Sequence, residues 1–275
     1  MTDESSSSQH FEAHITIAYA DITALDHLAS NTSLSRQKLK KAMSNGAVWL
    51  ESSIGTQRLR RAKKILAVND LLHLYYDEVI QNTEPEDALL IADEGEYSIW
   101  NKPYGMYSQG TKWGDQCTLH RYAEKHLQPQ RPAFPVHRLD RAASGLMILA
   151  HSKTMAATFS TLFKDRRIQK RYRAVVEGKL DNISLPYVIS SDIDDKPAVS
   201  SIISLEKHGD NTSVTMEIKA GRKHQIRKHL SELGYPIVGD RLYGSGKSEE
   251  NLQLQSNYLK FNCPLTDEIQ EHSLD

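Results

Sequence analysis

Three short segments in the C-terminal part of the chain place ionisable side chains beside the ends of predicted strands and helices. The first segment runs from Pro135 to Ser144 and leads directly into the apolar run 145–150, which predicts a buried strand. Asp140 would then lie at the mouth of a core, where its carboxylate can be dehydrated on one side and paired on the other. That placement suits a reactive carboxylate, and the alternative is an aspartate that only caps a turn.

The second segment combines basic residues with a tyrosine ring, and the third combines basic residues with the backbone amides at the start of a helix. Residues 170–178 form a predicted strand entered through basic residues, and Tyr172 on it could stack on a ring or handle a proton. The alternative for a strand tyrosine is packing. Residues 220–230 predict the end of a strand at Gly221, followed by a helix whose first turn carries basic side chains. Backbone amides and cations at such a helix start can bind a phosphate or a carboxylate. A solvated basic helix face is the alternative there.

The same residues argue against a metal centre. His224 and His229 lie five positions apart without the glutamate of a helical zinc protease site. Cys117 and Cys263 are the only cysteines, too few for a disulfide scaffold or a cysteine-based zinc site. We therefore predict no metal and no cofactor.

The elements that would hold these segments do not alternate strictly between strand and helix. They are predicted helices at 118–126, 153–163 and 223–233 and predicted strands at 145–150, 172–177 and 213–219, after an opening strand that begins at Tyr97. This order favours an α+β fold over a doubly wound one. We expect a large mixed, mostly antiparallel sheet with flanking helices.

Charge is distributed in blocks, although the whole chain is nearly neutral. The 275 residues carry 34 Lys and Arg against 35 Asp and Glu, a net charge of −1, which excludes a globally basic nucleic-acid coat. Residues 34–64 nevertheless hold nine cations and one acid, whereas 76–100 hold eight acids and no Lys or Arg. The basic block predicts a polyanion-binding face, with a solvated helix surface as the alternative. The residues predicted to contact the polyanion are Arg36, Lys40, Lys41, Arg60, Arg61 and Lys63.

The change of sign marks a predicted domain boundary. We expect a disordered tail at 1–13, a small α+β domain at 14–80, a polar linker at 81–92 and the larger domain at 93–275. Since no apolar run reaches the length of a membrane span and the Ser-rich, acidic N-terminus is unlike a signal peptide, we expect a cytoplasmic protein that binds no membrane. Without a coiled-coil repeat we expect a monomer.

Two resemblances to known families follow from these motifs. The stretch 34–50, with an apolar strand after Asn69-Asp70, resembles the S-four-type RNA-binding domain, although residues 51–57 replace its usual small turn. The larger domain resembles the RluA-type pseudouridine synthases. The matching motifs, in the family's order, are Asn101-Lys102-Pro103-Tyr104-Gly105, His137-Arg138-Leu139-Asp140, Lys170-Arg171-Tyr172-Arg173-Ala174, Gly221-Arg222-Lys223-His224-Gln225-Ile226-Arg227 and Gly239-Asp240-Arg241-Leu242-Tyr243-Gly244.

The second resemblance implies an activity and a role for each site residue. The protein would isomerise uridine in RNA to pseudouridine without a cofactor, with Asp140 as the essential carboxylate and Arg227 as its bidentate partner. Tyr172 would lie against the uracil and serve the late proton step. Arg138 would fill the space vacated by the flipped uridine, and the further RNA-binding residues of this domain would be His137, Arg222 and His224.

Three departures from the family pattern leave alternatives open. Ala142-Ala143 follows the catalytic-type motif, Gln255 stands where a histidine is usual, and Cys263-Pro264 replaces a usual His-Pro. The alternatives are an RNA-binding protein of the same fold that has lost catalysis and, more distantly, a hydrolase that uses Asp140 with His137. Large-subunit ribosomal RNA is the favoured substrate because of the N-terminal domain, and transfer RNA is the alternative.

Overall fold

The computed structural model describes residues 9–246 and 249–274, and its contacts divide the chain into two units. The first unit comprises the residues up to Pro85 together with the segment Gln109–Tyr122. The second unit comprises Glu86–Ser108 and the chain from Ala123 onwards. The predicted disordered tail lies outside the described residues up to residue 8.

The first unit is a four-stranded antiparallel sheet packed against short helices. Its strands are β1 (His10–Thr16), β2 (Val48–Ser52), β3 (Gly55–Arg58) and β4 (Leu71–Asp77), in the order β1-β4-β2-β3. The helices are α1 (Ala24–Asn31), α2 (Arg36–Ser44) and α3 (Glu78–Asn82). Thr23 and Asp26 form a capping box at the start of α1, and the Ser35 hydroxyl accepts the Lys38 N–H at the start of α2.

The boundaries of this unit differ from the sequence-based expectation in two places. β1 begins at His10, so residues 10–13 belong to the sheet rather than to a tail. The expected linker at 81–92 contains the end of α3 and most of β5 (Leu89–Asp93). Gln81 looks like a loop residue in the sequence because it is polar, but it is buried, and its side-chain amide donates to the Trp113 carbonyl at 3.0 Å.

The second unit is built on a large sheet that is antiparallel at every pairing except one. Besides β5, its strands are β6 (Tyr97–Lys102), β7 (Phe134–Pro135), β8 (Ser144–Ala150), β9 (Gln169–Val176), β10 (Tyr187–Ile193), β11 (Lys196–His208), β12 (Asn211–Ile218), β13 (Leu254–Asn262) and β14 (Ile269–Ser273). The order is β10-β11-β12-β9-β13-β8-β6-β5, with β14 on β13 and β7 on β8, and of the strand pairs that the structure describes only β13 and β8 run parallel. The predicted α+β class with a mostly antiparallel sheet is confirmed.

Helices cover this sheet and form its core with it. α5 (Lys153–Lys164) packs on β8, and α6 (Gln225–Glu232) contacts β10 and β11. α4 (Leu119–His126) contains the passage from the first unit to the second. Phe159 of α5 is fully buried among side chains of β6, β8 and β13 because the apolar stripe of the helix faces the sheet. Among the helices that the structure describes, none combines the length and apolarity needed to cross a bilayer.

Candidate active site

Asp140 lies in the turn between β7 and β8, and its side chain is 29% exposed. The turn closes through a hydrogen bond from the Ala143 N–H to the Asp140 carbonyl at 3.1 Å. Directly after it, Gly145 has a φ of +114°, and a Cβ there would lie 2.3 Å from the Ser256 carbonyl oxygen. Glycine at this position therefore allows β8 to approach β13 in the one parallel pairing of the sheet.

A buried lysine holds the chain around this turn. Lys102, at the end of β6, is fully buried, and its ammonium donates to the carbonyls of Pro103 at 3.0 Å, Met106 at 2.9 Å and Arg141 at 3.5 Å. Burial lowers the pKa of Lys102 to about 7, whereas the neighbouring Asp140 carboxylate acts in the opposite direction. The sequence motif contains this lysine, but nothing in the motif reveals that its ammonium binds three backbone carbonyls.

Arg227 of α6 connects two carboxylates, and its fork does not bind the one that the resemblance implies. Its Nε and Nη2 atoms donate to Asp240 at 2.7 Å each, whereas Nη1 lies 3.4 Å from Oδ2 of Asp140. The bidentate pairing expected for Asp140 is therefore wrong, because Asp240 occupies the Nε–Nη2 edge of the guanidinium. Both Arg227 and Asp240 are buried.

Asp240 is the functional residue that the sequence reasoning missed. Its Oδ1 also accepts the backbone N–H groups of Leu242 at 2.9 Å and Tyr243 at 3.1 Å. Although burial opposes ionisation, the hydrogen bonds from Arg227 and from these two N–H groups hold the pKa of Asp240 below its usual value. A buried, fully engaged carboxylate thus fixes the guanidinium that reaches Asp140.

His224 contacts the other oxygen of Asp140. Its Nε2 lies 3.7 Å from Oδ1 of Asp140, and its Nδ1 lies 3.0 Å from the Tyr243 hydroxyl. The residue has a left-handed backbone at the start of α6, with a φ of +56°, which turns the chain into the helix. Burial lowers the pKa of His224, and the adjacent Asp140 carboxylate opposes that shift. The histidine predicted to bind RNA therefore lies beside Asp140.

Tyr172 lies on β9 and lines the same pocket as Asp140. Burial raises the pKa of Tyr172 to about 12, and the Asp140 carboxylate shifts it in the same direction while the Ser256 side chain opposes the shift. The phenol therefore keeps its proton at neutral pH. The pocket has a volume of about 80 Å³, and its polar lining residues are Arg138, Asp140, Tyr172, Arg222, His224, Gln225 and Arg227.

Two predicted RNA-binding residues have structural partners instead. His137 is partly buried against Phe163, with ring centroids 4.6 Å apart, and its Nε2 accepts the Ile148 N–H at 3.0 Å. Burial lowers the pKa of His137 to about 3, so the ring is neutral and braces β8. Arg60 donates to the Asp115 carboxylate and to the Ser44 carbonyl. Both side chains therefore make structural contacts, and their RNA-binding role stays a prediction.

The remaining predicted cations of the first unit fall into two groups. Arg36 pairs with Asp26 at 2.6 Å, and Lys41 donates to Asn82 at 3.0 Å. The side chains of Lys40, Arg61 and Lys63 are exposed and have no hydrogen-bond or ion-pair partner within 9–246 and 249–274. Arg61 and Lys63 line a concave surface formed by residues 57–64.

The departures from the family pattern occupy different places. Ala143 is buried and lines the active-site pocket, so this substitution alters the pocket's shape. Cys263 lies in the core beside Tyr97, whose hydroxyl is 3.4 Å from its sulfur, and does not line the pocket. Gln255 on β13 is in register with Ser144 of β8 and Arg173 of β9. Only Ala143, of these three, lines the pocket.

Comparison with known proteins identifies the family. The family model described as RNA pseudouridylate synthase matches residues 96–232. The chain is 30% identical over 214 residues to tRNA pseudouridine synthase C of Vibrio cholerae, covering 65% of this chain and 87% of that protein. The chain belongs to the RNA pseudouridine synthase family. The predicted membership of the RluA-type branch is confirmed.

Two further comparisons concern a relative named for the ribosomal large subunit and a solved structure. Ribosomal large subunit pseudouridine synthase D of Buchnera aphidicola is 30% identical over 243 residues, which cover 82% of this chain and 75% of that protein. The solved structure titled human RNA pseudouridylate synthase domain containing 1 has a TM-score of 0.59 at 24% identity, covering 70% of this chain and 86% of that chain. As an RNA pseudouridine synthase the protein is an isomerase, and its fold is that of the family.

Proposed function

We propose that the protein isomerises specific uridines in structured RNA, with Asp140 as the essential carboxylate. The observation that carries the proposal is the position of Asp140 in a pocket that Tyr172 and Arg227 also line. The carboxylate is open to the pocket, and Arg227 at 3.4 Å and His224 at 3.7 Å orient its two oxygens. A reactive acid needs this combination of access on one side and fixed polar partners on the other, of which Arg227 carries the positive charge.

The reaction breaks the bond between the ribose C1′ atom and N1 of uracil, turns the base and joins C1′ to C5. The proton on C5 is lost and N1 gains one, so no atom or electron is supplied from outside. Asp140 either attacks the ribose covalently or removes a ribose proton. Tyr172, which keeps its proton at neutral pH, would lie against the turning base and serve the final proton step.

Access to the uridine requires the base to leave its stack, which costs a few kcal/mol. Arg138 is exposed at the rim of the pocket and has no hydrogen-bond or ion-pair partner in the described part of the chain. Its planar guanidinium can therefore stack between the bases that the flipped uridine leaves behind. Arg222, which also lines the pocket, would contact the backbone next to that nucleotide.

Large-subunit ribosomal RNA is the substrate we favour, in a cytoplasmic setting, with transfer RNA as the alternative. One relative is named for the large ribosomal subunit and another for tRNA, so the names alone do not decide. The first unit favours ribosomal RNA because its S-four-like motifs accompany the free cations Lys40, Arg61 and Lys63. Pseudouridine mapping of total RNA from cells with and without the protein would identify the target.

The experiment that tests the chemistry compares the Asp140→Asn variant with wild type on bulk RNA, scoring pseudouridine by chemical mapping. We expect Asp140→Asn to bind RNA as wild type does and to form no pseudouridine. Asp210→Asn is the matched control, because Asp210 is an exposed acid in the turn between β11 and β12. Wild-type levels of modification in Asp140→Asn would contradict the proposal.

Two other outcomes would favour the alternative functions. A wild-type protein that binds RNA but releases no tritium from C5-labelled uridine would be a non-catalytic RNA-binding protein. Free uracil in the chromatogram would indicate hydrolysis by Asp140 with His137. The second outcome conflicts with the position of His137, whose Nε2 is engaged by the Ile148 N–H.

A further inference from the structure

A second concave surface of the second unit lies at one end of the large sheet, where β9 begins and β12 and β13 end. The register pairs Glu217 with Arg171 and Lys260 with Gln169, which brings the three strand ends together. The resulting cleft has a volume of about 550 Å³. Its charged lining residues, here called the basic cleft, are Arg166, Arg167, Lys219 and Lys260 against the single acid Glu217.

Most of this positive charge is not neutralised by the protein. The side chains of Arg166, Arg167 and Lys219 are exposed and have no hydrogen-bond or ion-pair partner among the residues described. Glu217 is already engaged, because it accepts Gln169 Nε2 at 2.7 Å and Arg171 Nε at 3.4 Å. Lys260 pairs with Glu271 at 3.3 Å, in solvent, where such pairs contribute little.

Stabilisation of a helix end does not account for this arrangement. Arg166 and Arg167 follow the C-terminus of α5, where cations are favourable. Their backbone N–H groups already cap the helix by donating to Phe163 at 3.2 Å and Leu162 at 2.9 Å. Lys219 and Lys260 come from two other elements, so three separate parts of the chain bring like charges together. Such clustering opposes folding unless an anion binds there.

The basic cleft adjoins the active-site pocket along the chain. Ile218 lines both, and the chain runs from Lys219 in the cleft to Gly221 and Arg222 in the pocket. Three residues span at most about 11 Å between Lys219 and Arg222. A helical nucleic-acid strand rises about 3.4 Å per phosphate, so this distance corresponds to about three nucleotides.

We propose that the basic cleft binds backbone phosphates of the RNA strand that flanks the uridine held beside Asp140. The identity of that strand rests on the proposed function. Phosphates fit better than an acidic protein partner, because the apolar lining residues Ile168, Ile218 and Phe261 are buried and offer no apolar anchor. Guanidinium forks and lysines on an open surface are what position a nucleic-acid backbone without selecting its sequence.

The test compares two charge-neutralising double variants in their salt-dependent binding to a short, fluorescently labelled, uridine-containing single-stranded RNA. The cleft variant is Arg167→Gln/Lys219→Gln. The matched control is Lys179→Gln/Lys207→Gln, which removes the same charge at the opposite end of β9 and β11, where both lysines are exposed. Thermal unfolding of each variant checks that the surface changes leave the fold intact.

We expect the plot of log affinity against log salt to become shallower by about 1.4 in the cleft variant, at about 0.7 for each of two phosphates. This change in slope corresponds to about 25-fold weaker RNA binding by the cleft variant than by wild type at 0.1 M salt. The control should keep the wild-type slope. With bulk RNA, the loss in the cleft variant should appear in KM rather than in kcat.

Two results would overturn the basic cleft as a phosphate site. Equal slopes in the cleft and control variants would mean that only net charge matters. A lower kcat with unchanged binding would assign these residues to the chemistry or to folding. If instead the wild-type protein forms no pseudouridine at all, the proposed function fails, while the salt slopes still judge the cleft independently.

Discussion

At the scale of single residues, the two carboxylates of the proposed active site lie in different surroundings. The Asp240 side chain is completely buried and takes the fork of Arg227, whereas the Asp140 side chain is 29% exposed and meets only Nη1. A buried ion pair with both carboxylate oxygens hydrogen-bonded is suited to hold geometry, and a partly open carboxylate is suited to react. Asp240 is thus a positioning residue for the guanidinium beside Asp140.

This division predicts different costs for the same substitution at the two positions. Asp240→Asn removes the buried anion that takes two hydrogen bonds of Arg227, leaving only Asp140 at 3.4 Å, and should lower the free energy of unfolding by about 3 kcal/mol. Asp140→Asn should lower it by less than about 1 kcal/mol, because the side chain is partly solvated. Urea unfolding measures both values. Similar stabilities for the two variants would contradict the assignment of Asp240 as the residue that fixes Arg227.

The raised pKa of Tyr172 predicts how the ionisation of its hydroxyl depends on pH. Because its pKa is raised to about 12, the group stays neutral from pH 6 to 10, and Tyr172 ionisation should not limit activity in that range. The stability gained by burying the neutral phenol is complete below about pH 10 and is lost as the pH rises towards 12.

The Tyr172→Phe variant keeps the aromatic ring and removes the phenol hydroxyl. If the hydroxyl serves the final proton step, kcat should fall by about 10²–10⁴-fold while RNA affinity and thermal stability stay at wild-type values. Single-turnover kinetics on saturating RNA would measure the change. A fully active Tyr172→Phe variant would reduce the role of Tyr172 to packing against the base.

Sequence motifs identified the residues of the pocket more reliably than their pairings. Asp140, Tyr172 and Arg227 were predicted from their motifs and line one pocket. The motif around Asp240 is present in the sequence too, but the sequence does not show which of the two aspartates binds the Arg227 guanidinium. Only the fold reveals that pairing. The role of Lys102 was hidden for the same reason, because its acceptors are backbone carbonyls that carry no sequence signal.

At the scale of elements, the parallel pairing of β8 with β13 depends on one glycine. Gly145→Ala would strain a left-handed backbone and drive a Cβ to 2.3 Å from the Ser256 carbonyl oxygen. The two penalties together should destabilise the protein by about 3 kcal/mol. Gly178→Ala is the control, since Gly178 has a φ of +84° but no atom within 4 Å of the added Cβ. Equal thermal midpoints would show that the close approach is not rigid.

His137 links the stability of β8 to pH. Its pKa is lowered to about 3, so below about pH 6.5 the unfolded chain binds a proton that the folded protein does not. Stability should therefore fall with decreasing pH, by up to about 1.4 kcal/mol per pH unit from this group. His137→Gln keeps an acceptor for the Ile148 N–H and should lessen that slope, as measured by urea unfolding at several pH values. The exposed His208→Gln should retain the wild-type slope.

Strong apolar patterns predicted elements well, and polar strands were missed. The predicted strand 145–150 and helix 153–163 appear as β8 (Ser144–Ala150) and α5 (Lys153–Lys164). β10 and β11 were not predicted, because serines and charges interrupt their apolar pattern. Ser200 is fully buried in β11, where its hydroxyl meets Gln225 at 3.0 Å and His229 at 2.9 Å. Such strands are specified by tertiary hydrogen bonds rather than by hydrophobic periodicity.

At the scale of the whole molecule, the chain passes between its two units three times, at residues 85–86, 108–109 and 122–123. The charge blocks predicted only the first passage. The segment Gln109–Tyr122 joins the first unit through Asp115, whose carboxylate is buried and lies 3.3 Å from Arg58 Nε and in contact with Arg60. Two residues of the basic block therefore hold a distant segment of the chain, which net charge alone could not reveal.

The ion pairs of Asp115 mean that the first unit includes a segment, Gln109–Tyr122, that lies later in the chain than the rest of the unit. Asp115→Asn should leave two partly buried guanidinium groups without their anion and lower the stability of the first unit by about 3 kcal/mol. The exposed Asp21→Asn is the control. Limited proteolysis should cut the variant within 109–122 sooner than wild type. Deletion of residues 1–80 should expose the same segment, since Lys112 would lose Trp49 on β2 and Asp115 would lose Arg58 on β3. Equal protection of 109–122 in the deletion and in the full chain would contradict this account.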